Sequence, residues 1–151
     1  MGLTSLDAYD DIVGVNRRNY DAYVERLSKI PGLRVFHHDG SRPHNFHYVV
    51  VDIDEEVLGL SRDEVVKVLE AENVLARRYF YPGAHDMEPY RSNQPMADLV
   101  LPETKELTTR VMTLPTGGNV DQASIELIGD IIARAVDQRD GVRAHCTASR
   151  P

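Results

Sequence analysis

The sequence predicts an α+β fold in which a small, largely antiparallel sheet is covered by amphipathic helices. Two long segments, residues 4–30 and about 120–138, carry apolar side chains at intervals of mostly three or four, which is typical of helices with one buried face. Between them, residues 46–53 (FHYVVVDI) are β-branched or aromatic in most positions, the pattern of a strand. The predicted order α-β-β-α-β-loop-β-α favours a layered domain with its helices on one face of the sheet.

The predicted strands are short, and turn-forming residues separate them. They lie at 33–36, at 46–53, at the start of 74–80 and at 110–115. Pro31 and Gly32 end the first helix before the first strand. A loop rich in glycine, proline, asparagine and aspartate then spans 37–45 and separates the first strand from the second.

Capping patterns indicate where the later helices start. Ser61 and Glu64 form a capping box, which predicts a helix that runs to about Glu72. Asn119 and Gln122 offer a similar arrangement for the closing helix. The chain between residue 80 and about residue 100 is predicted to be one long loop, and a loop of that length is usually functional or disordered.

Length, charge and cysteine content limit the class of protein. The 151 residues suit one domain, which we place at 4–138, followed by a disordered tail over 139–151. A net charge of −7 argues against nucleic-acid binding. The sequence has no signal peptide and no apolar run long enough for a membrane. Because Cys146 is the only cysteine, no internal disulfide forms, and we expect a cytoplasmic protein.

The segment 76–91 (ARRYFYPGAHDMEPYR) is too aromatic for an ordinary solvent loop, and its prolines and glycine interrupt any regular element. Its residues 78–91, together with 101–132, resemble the C-terminal part of the sugar aminotransferases of the DegT/DnrJ/EryC1/StrS family. Residues 5–35 are similar to the linking helix of that family, with Arg18 in its arginine position. The resemblance covers about residues 4–136.

The resemblance implies the C-terminal domain of a fold-type I, pyridoxal-phosphate-dependent enzyme that works as a dimer and aminates a nucleotide-linked 4-keto-6-deoxysugar. It also implies that an N-terminal domain, or a companion subunit, supplies the cofactor site and the Schiff-base lysine. The sequence contexts of Lys29, Lys67 and Lys105 lack the desolvated pocket that imine chemistry needs. We therefore expect these 151 residues to be inactive alone. The alternatives are a non-catalytic binding module and a structural remnant that self-associates.

The resemblance makes Tyr81, His85, Tyr90 and Arg91 the candidates for binding the nucleotide sugar. Tyrosine rings stack on sugars and bases, and an arginine can pair with a diphosphate through two parallel hydrogen bonds. His85 could donate a hydrogen bond to a sugar hydroxyl or a phosphate.

Structural interpretations of the same segment remain open. His85 could instead be a surface histidine held by Asp86, and an acid at 86 disfavours a nearby diphosphate. Arg91 could pair with an Asp or Glu, although it is the preferred phosphate-binding arginine because it closes the motif. Phe80 is predicted to fill the core.

Two groups of possible metal ligands are interpreted as structural. The histidines at 37, 38, 44 and 47 lack a recognised zinc spacing and have no cysteine near them. The carboxylates at 52, 54, 55 and 56 lack the glycine turn and regular oxygen spacing of a calcium loop, so a solvated strand end is expected. No metal site and no catalytic residue is assigned to the chain.

Overall fold

The computed structural model describes residues 7–94 and 96–148, and it has the predicted α+β architecture. The strands are β1 (Leu33–Val35), β2 (Val49–Ile53), β3 (Arg77–Arg78) and β4 (Val111–Leu114). The helices are α1 (Tyr9–Leu27), α2 (Glu55–Leu58), α3 (Arg62–Ala71), α4 (Tyr90–Asn93), α5 (Ala97–Val100), α6 (Pro102–Arg110), α7 (Gln122–Asp137) and α8 (Arg139–Ala148), with a 3₁₀ turn at Ala84–Asp86. Among these helices, none has the length and apolar character that crossing a bilayer requires.

The strands form one antiparallel sheet in the order β1-β2-β4-β3. The long strand β2 lies inside the sheet, with Val51 opposite Val35 of β1 on one side and opposite Met112 of β4 on the other. Strand β3 pairs only with β4, where Arg78 lies opposite Met112. The chain therefore leaves the sheet from an edge strand as it enters the aromatic segment.

Helices α1, α3 and α7 pack together over one face of the sheet and enclose the core. Alternate residues of β2, namely Val49, Val51 and Ile53, point into this core and are buried. The largest fully buried side chains from the helices are those of Tyr23, Leu27, Leu69, Ile125 and Ile132. Because fully burying one such aliphatic side chain contributes roughly 1.5–3 kcal/mol, this face provides most of the fold's stability.

Polar side chains of α1 fix the loop that follows β4. The buried Asn19 donates from Nδ2 to the carbonyl oxygen of Gly117 at 3.1 Å. The hydroxyl of Tyr23 donates to the carbonyl oxygen of Pro115 at 2.9 Å, and burial raises the pKa of this hydroxyl above its ordinary value. Arg18 donates to Oδ1 of Asn19 at 3.1 Å and so helps to orient that amide.

All four strands are shorter than predicted, and the difference is largest for the second and third. The second strand begins at Val49 rather than at residue 46, because Phe46 has a left-handed φ of 51° that interrupts an extended chain. Strand β3 covers only Arg77–Arg78 of the predicted 74–80, since the backbone of Phe80 is also left-handed, with φ 46°.

The helix ends differ from the prediction at both ends of the domain. Helix α1 runs over Tyr9–Leu27 instead of 4–30, and residues 4–6 lie outside the described part of the chain. Helix α7 is capped by Asp121, whose carboxylate accepts the N–H of Ser124 at 2.8 Å, and not by Asn119. The capping box of Ser61 and Glu64, in contrast, is confirmed at the start of α3.

The predicted disordered tail is wrong for residues 139–148, which form helix α8 against α3; residues 149–151 lie outside the described part. Val142 packs partly buried against the core. Val142 and Cys146, four positions apart, line one side of a cleft of about 470 Å³ between the two helices. This i, i+4 spacing is the signal of one apolar helix face, which the polar composition of the segment obscured.

We predict that α8 contributes to stability through Val142. Val142→Asp should lower the free energy of unfolding by about 1–2 kcal/mol, because it places a carboxylate where a partly buried apolar side chain packs. Urea unfolding followed by far-UV circular dichroism measures the change. Ala144→Asp, on an exposed position of the same helix, is the matched control. Equal midpoints for both variants would contradict docking of α8.

Candidate functional site

The aromatic segment after β3 folds back on itself instead of extending into solvent. It contains cis peptide bonds at Tyr81–Pro82 and Glu88–Pro89 and a left-handed Gly83 with φ 105°. The 3₁₀ turn at Ala84–Asp86 contacts helix α4. The predicted long loop is thus a series of short helical turns around a compact bend.

Tyr81 rests on two arginines at one end of the segment. The guanidinium carbon of Arg62 lies 4.9 Å from the ring centroid of Tyr81, and that of Arg78 lies 5.6 Å from it. These distances are within the range of cation–π contacts. The side chain of Tyr81 is still 46% exposed, so part of the ring surface remains open to a ligand.

Asp63 connects the two arginines. Its Oδ1 accepts from Nε of Arg62 at 2.6 Å and from Nε of Arg78 at 2.9 Å. Arg62 is 3% exposed, and its Nη1 also donates to the carbonyl oxygens of Thr108 and Val111, each at 2.9 Å. We call Asp63, Arg62 and Arg78 the arginine clamp of Tyr81. Together these three side chains carry two positive charges and one negative charge.

His85 lies within the bend. Its side chain is largely enclosed and packs on Gly83, where an added Cβ atom would come within 2.6 Å of Cε1 of the histidine. Its Nε2 lies 3.7 Å from Oδ2 of Asp86. Substrate binding by His85 therefore requires the enclosed ring to reach a ligand past Asp86, and it stays a prediction.

Tyr90 and Arg91 project from helix α4, and both are exposed. Nε of Arg91 pairs with Oε1 of Glu88 at 3.1 Å. The hydroxyl of Ser92 also donates to Glu88, and this hydrogen bond, followed by the charge of Arg91, lowers the pKa of the Glu88 carboxyl. A phosphate at Arg91 would have to compete with this carboxylate.

The structure thus separates the four candidates into two groups. The turn of His85 lies against the helix that carries Tyr90 and Arg91, whereas Tyr81 packs on arginines from α3 and β3. Sequence reasoning missed Arg62 and Asp63. A charged pair in the first turn of a helix is normally solvated, and nothing in the local sequence indicates that Arg62 turns inward.

The predicted core position of Phe80 is wrong, since its side chain is 64% exposed. Strand β3 ends at Arg78, so the alternation of side chains that would direct Phe80 inward does not continue. The Phe80 ring contacts Tyr79 with centroids 4.5 Å apart, and Tyr79 contacts Tyr48 at 5.6 Å. The three rings form an aromatic surface at the start of the aromatic segment.

The predicted solvation of the acidic strand end is wrong for Asp52, whereas Asp54, Glu55 and Glu56 are exposed. Asp52 is 7% exposed, and its carboxylate pairs with Arg34 at 2.6 Å and with Arg110 at 3.1 Å. The next carboxylate, Asp54, caps helix α2 by accepting the N–H groups of Glu56 and Val57. Both acids therefore have structural partners.

The histidines of the β1–β2 loop form a ring stack. The ring centroids of His38 and His44 are 3.5 Å apart, and Nδ1 of His44 accepts the N–H of Phe46 at 2.9 Å. Burial, reinforced by the nearby His44 and His37, lowers the pKa of His38 below its ordinary value. His47 is exposed and precedes the strand. Within the described residues, no group of three or more metal-binding side chains is arranged to hold an ion.

The residues present do not fit a covalent pyridoxal phosphate site. Lys29, Lys67 and Lys105 all lie at exposed positions, and Lys29 pairs with Glu25 at 3.6 Å. An imine-forming lysine needs a desolvated pocket or an adjacent cation to lower its pKa.

Comparison with known proteins identifies the family. The sequence profile of the DegT/DnrJ/EryC1/StrS aminotransferase family matches residues 1–133. The chain belongs to this family. The predicted resemblance and fold class are both confirmed, since similar solved structures include aminotransferases.

Individual relatives are similar over most of this chain. It is 30% identical over 128 residues to the dTDP-4-amino-4,6-dideoxy-D-glucose transaminase of Shigella dysenteriae, covering 84% of this chain and 34% of that protein. It is 28% identical over 141 residues to the spore coat polysaccharide biosynthesis protein SpsC of Bacillus subtilis (strain 168). This match covers 89% of this chain and 36% of that protein. The chain thus spans about a third of the length of these curated relatives.

A solved structure of DesI in the presence of its TDP-sugar product is 43% identical to this chain, with a TM-score of 0.87. The match covers 97% of this chain and 37% of DesI. A structure of DesV from S. venezuelae in complex with a ketimine intermediate shares the fold at 18% identity, with a TM-score of 0.74.

We predict that His38 makes the stability of the domain sensitive to acid. Because its pKa is lowered in the folded state, the unfolded chain takes up the proton first as the pH falls. The contribution of His38 to the free energy of unfolding should be fully present above about pH 6.5. It should be lost as the pH falls from there through the folded-state pKa. Urea unfolding at pH 7 and pH 5 measures the loss.

His38→Gln should reduce this acid-dependent loss, because glutamine does not titrate. His47→Gln, at an exposed position outside the ring stack, is the control and should keep the loss of the unmodified chain. If His38→Gln loses as much stability between pH 7 and pH 5 as the control does, His38 is not the responsible group.

Proposed function

We propose that this chain is the C-terminal portion of a pyridoxal-phosphate-dependent sugar aminotransferase that acts on a nucleotide-linked 4-keto-6-deoxysugar in deoxyaminosugar biosynthesis. The observation that carries the proposal is the 43% identity and TM-score of 0.87 to DesI, whose structure was solved with its TDP-sugar product. The similarity to a dTDP-4-amino-4,6-dideoxy-D-glucose transaminase supports the same class of substrate.

In this proposal, an N-terminal region or a companion subunit supplies the cofactor site and its lysine. The exposed positions of all three lysines support this division, because none of them has the surroundings of an imine-forming amine. The coverage of only 34–37% of the relatives' lengths is consistent with it. The chain alone would then be catalytically inactive.

The role of this domain would be to bind and orient the nucleotide sugar. Tyr81 is the best-supported contact, because its ring is partly exposed and lies against the two guanidinium groups of the arginine clamp, which suits an anionic diphosphate sugar. Tyr90 offers a second exposed ring, and Arg91 offers a guanidinium that Glu88 partly neutralises. His85 would donate a hydrogen bond from within the bend.

We further propose that the active unit is a homo-oligomer in the cytoplasm. Exposed apolar side chains lie within the aromatic segment or closely after it in sequence and support a surface that another polypeptide region covers: Phe80, Met96, Leu99 and Val100. The same surface favours the alternative function, a stand-alone, non-catalytic module that binds a partner. The two proposals differ in whether transamination occurs when a cofactor-binding region is supplied.

The first prediction from this proposal concerns the cofactor. Incubation of the purified 151-residue chain with pyridoxal phosphate, followed by borohydride reduction, should give no stoichiometric adduct by intact mass. The physical reason is that none of the three exposed lysines lies in the desolvated pocket that imine chemistry needs. A single adduct on Lys29, Lys67 or Lys105 would show that the chain holds the cofactor itself.

The second prediction concerns catalysis. A hybrid in which this chain replaces the corresponding segment of DesI should bind pyridoxal phosphate and, with an amino acid as the amino donor, convert the TDP-linked 4-keto-6-deoxysugar to the amino sugar, measured by chromatography. The chain alone should convert none. Tyr81→Ala in the hybrid should raise the KM about five- to thirtyfold, the effect of losing a stacking contact of about 1–2 kcal/mol. A hybrid that binds the cofactor normally but does not transaminate would favour the binding-module alternative.

A further inference from the structure

In the arginine clamp, one carboxylate oxygen binds two arginines that also contact the same ring. Two independent surface ion pairs would not require this arrangement. Both guanidinium groups donate from Nε to the same oxygen, Oδ1 of Asp63, at 2.6 and 2.9 Å. Both also lie against one ring, that of Tyr81. The carboxylate thus lies between two like charges that would otherwise repel each other at the ring.

The two arginines are held to different degrees. Arg62 is buried, and its Nη1 donates to two backbone carbonyls, so its position does not depend on Asp63 alone. Arg78 is 43% exposed in its side chain and comes from the edge strand β3. Without the carboxylate, Arg78 would gain solvation by moving away from Arg62, and the Tyr81 ring would lose one of its two cation contacts.

We propose that Asp63 is a positioning residue that holds the ring of Tyr81, through Arg62 and Arg78, in the orientation that receives the nucleotide-linked sugar. The effect on the sugar rests on the proposed function, whereas the effect on the ring does not. Asp63 touches no part of the substrate in this scheme. Asp63 holds Arg78 of the edge strand β3 and Arg62 of α3 at the ring of Tyr81. The first residues of the aromatic segment are therefore held in place, and the residues after them bend away.

The ring is observed directly by ¹⁹F NMR of the full chain labelled with 3-fluorotyrosine. Seven tyrosines give signals, and the Tyr81 signal is assigned by its absence in Tyr81→Phe. Asp63→Ala and Arg78→Ala should each move this signal toward its position in the urea-unfolded chain. The double variant should move it no further than either single variant, because both changes remove one shared contact.

Matched controls separate positioning from a general loss of stability. Arg77→Ala removes the neighbouring arginine of the same strand, and Glu70→Ala removes an exposed carboxylate from the same helix; neither should move the Tyr81 signal. If Asp63→Ala does not fold, Asp63→Asn serves, since its amide oxygen still accepts hydrogen bonds but lacks the charge. A Tyr81 signal that is unchanged in Asp63→Asn and Arg78→Ala, or that moves equally in the controls, overturns the proposal.

The consequence for substrate is tested in the hybrid enzyme. Asp63→Ala should raise the KM for the TDP-linked sugar about two- to thirtyfold, the range of one cation–π contact, with kcat nearly unchanged. A shifted Tyr81 signal with an unchanged KM overturns the role in receiving the sugar. A hybrid that is inactive with Asp63 in place counts against the proposed function, and the ¹⁹F result then decides on the positioning of the ring.

Discussion

The buried guanidinium of Arg62 is the interaction on which the rest of the domain's candidate site depends. Its two hydrogen bonds to the carbonyls of Thr108 and Val111 hold the start of α3 against the junction of α6 and β4. A hydrogen bond from a charged donor contributes about 1.5–3 kcal/mol. Because the same guanidinium lies against Tyr81, Arg62 contacts both the packed part of the domain and the aromatic segment.

The domain combines a well-packed half with a half that is exposed to solvent. Helices α1, α3 and α7 bury the apolar face of the sheet, and the capping box at Ser61 fixes the beginning of α3. The edge strand β3, in contrast, has only two residues and delivers the chain into a segment with several exposed rings. Binding residues placed on a loop next to a rigid layer are common, since the layer sets their position and the loop allows adjustment.

Local sequence signals predicted the helices and strands of the domain. They did not predict which charged side chains are buried. The capping box, the apolar periodicity of α7 and the β-branched run of β2 all predicted elements that formed, because each is determined by neighbours in sequence. The inward turn of Arg62 and the burial of Asp52 depend on partners far along the chain, Thr108 and Arg110. Only the completed fold brings these partners together.

The errors at the aromatic segment and at the C-terminus have different causes. Phe80 was assigned to the core by extending a strand that ends at Arg78, and α8 was assigned to a tail because two apolar residues hardly mark a helix. For α8 the deciding contact is tertiary, its packing against α3, whereas for Phe80 it is the end of the strand and the left-handed backbone. The described residues enclose one apolar core, and the apolar side chains exposed after Phe80 lie outside it. A binding role for this surface therefore rests on its exposed rings and apolar side chains, and not on the packed core.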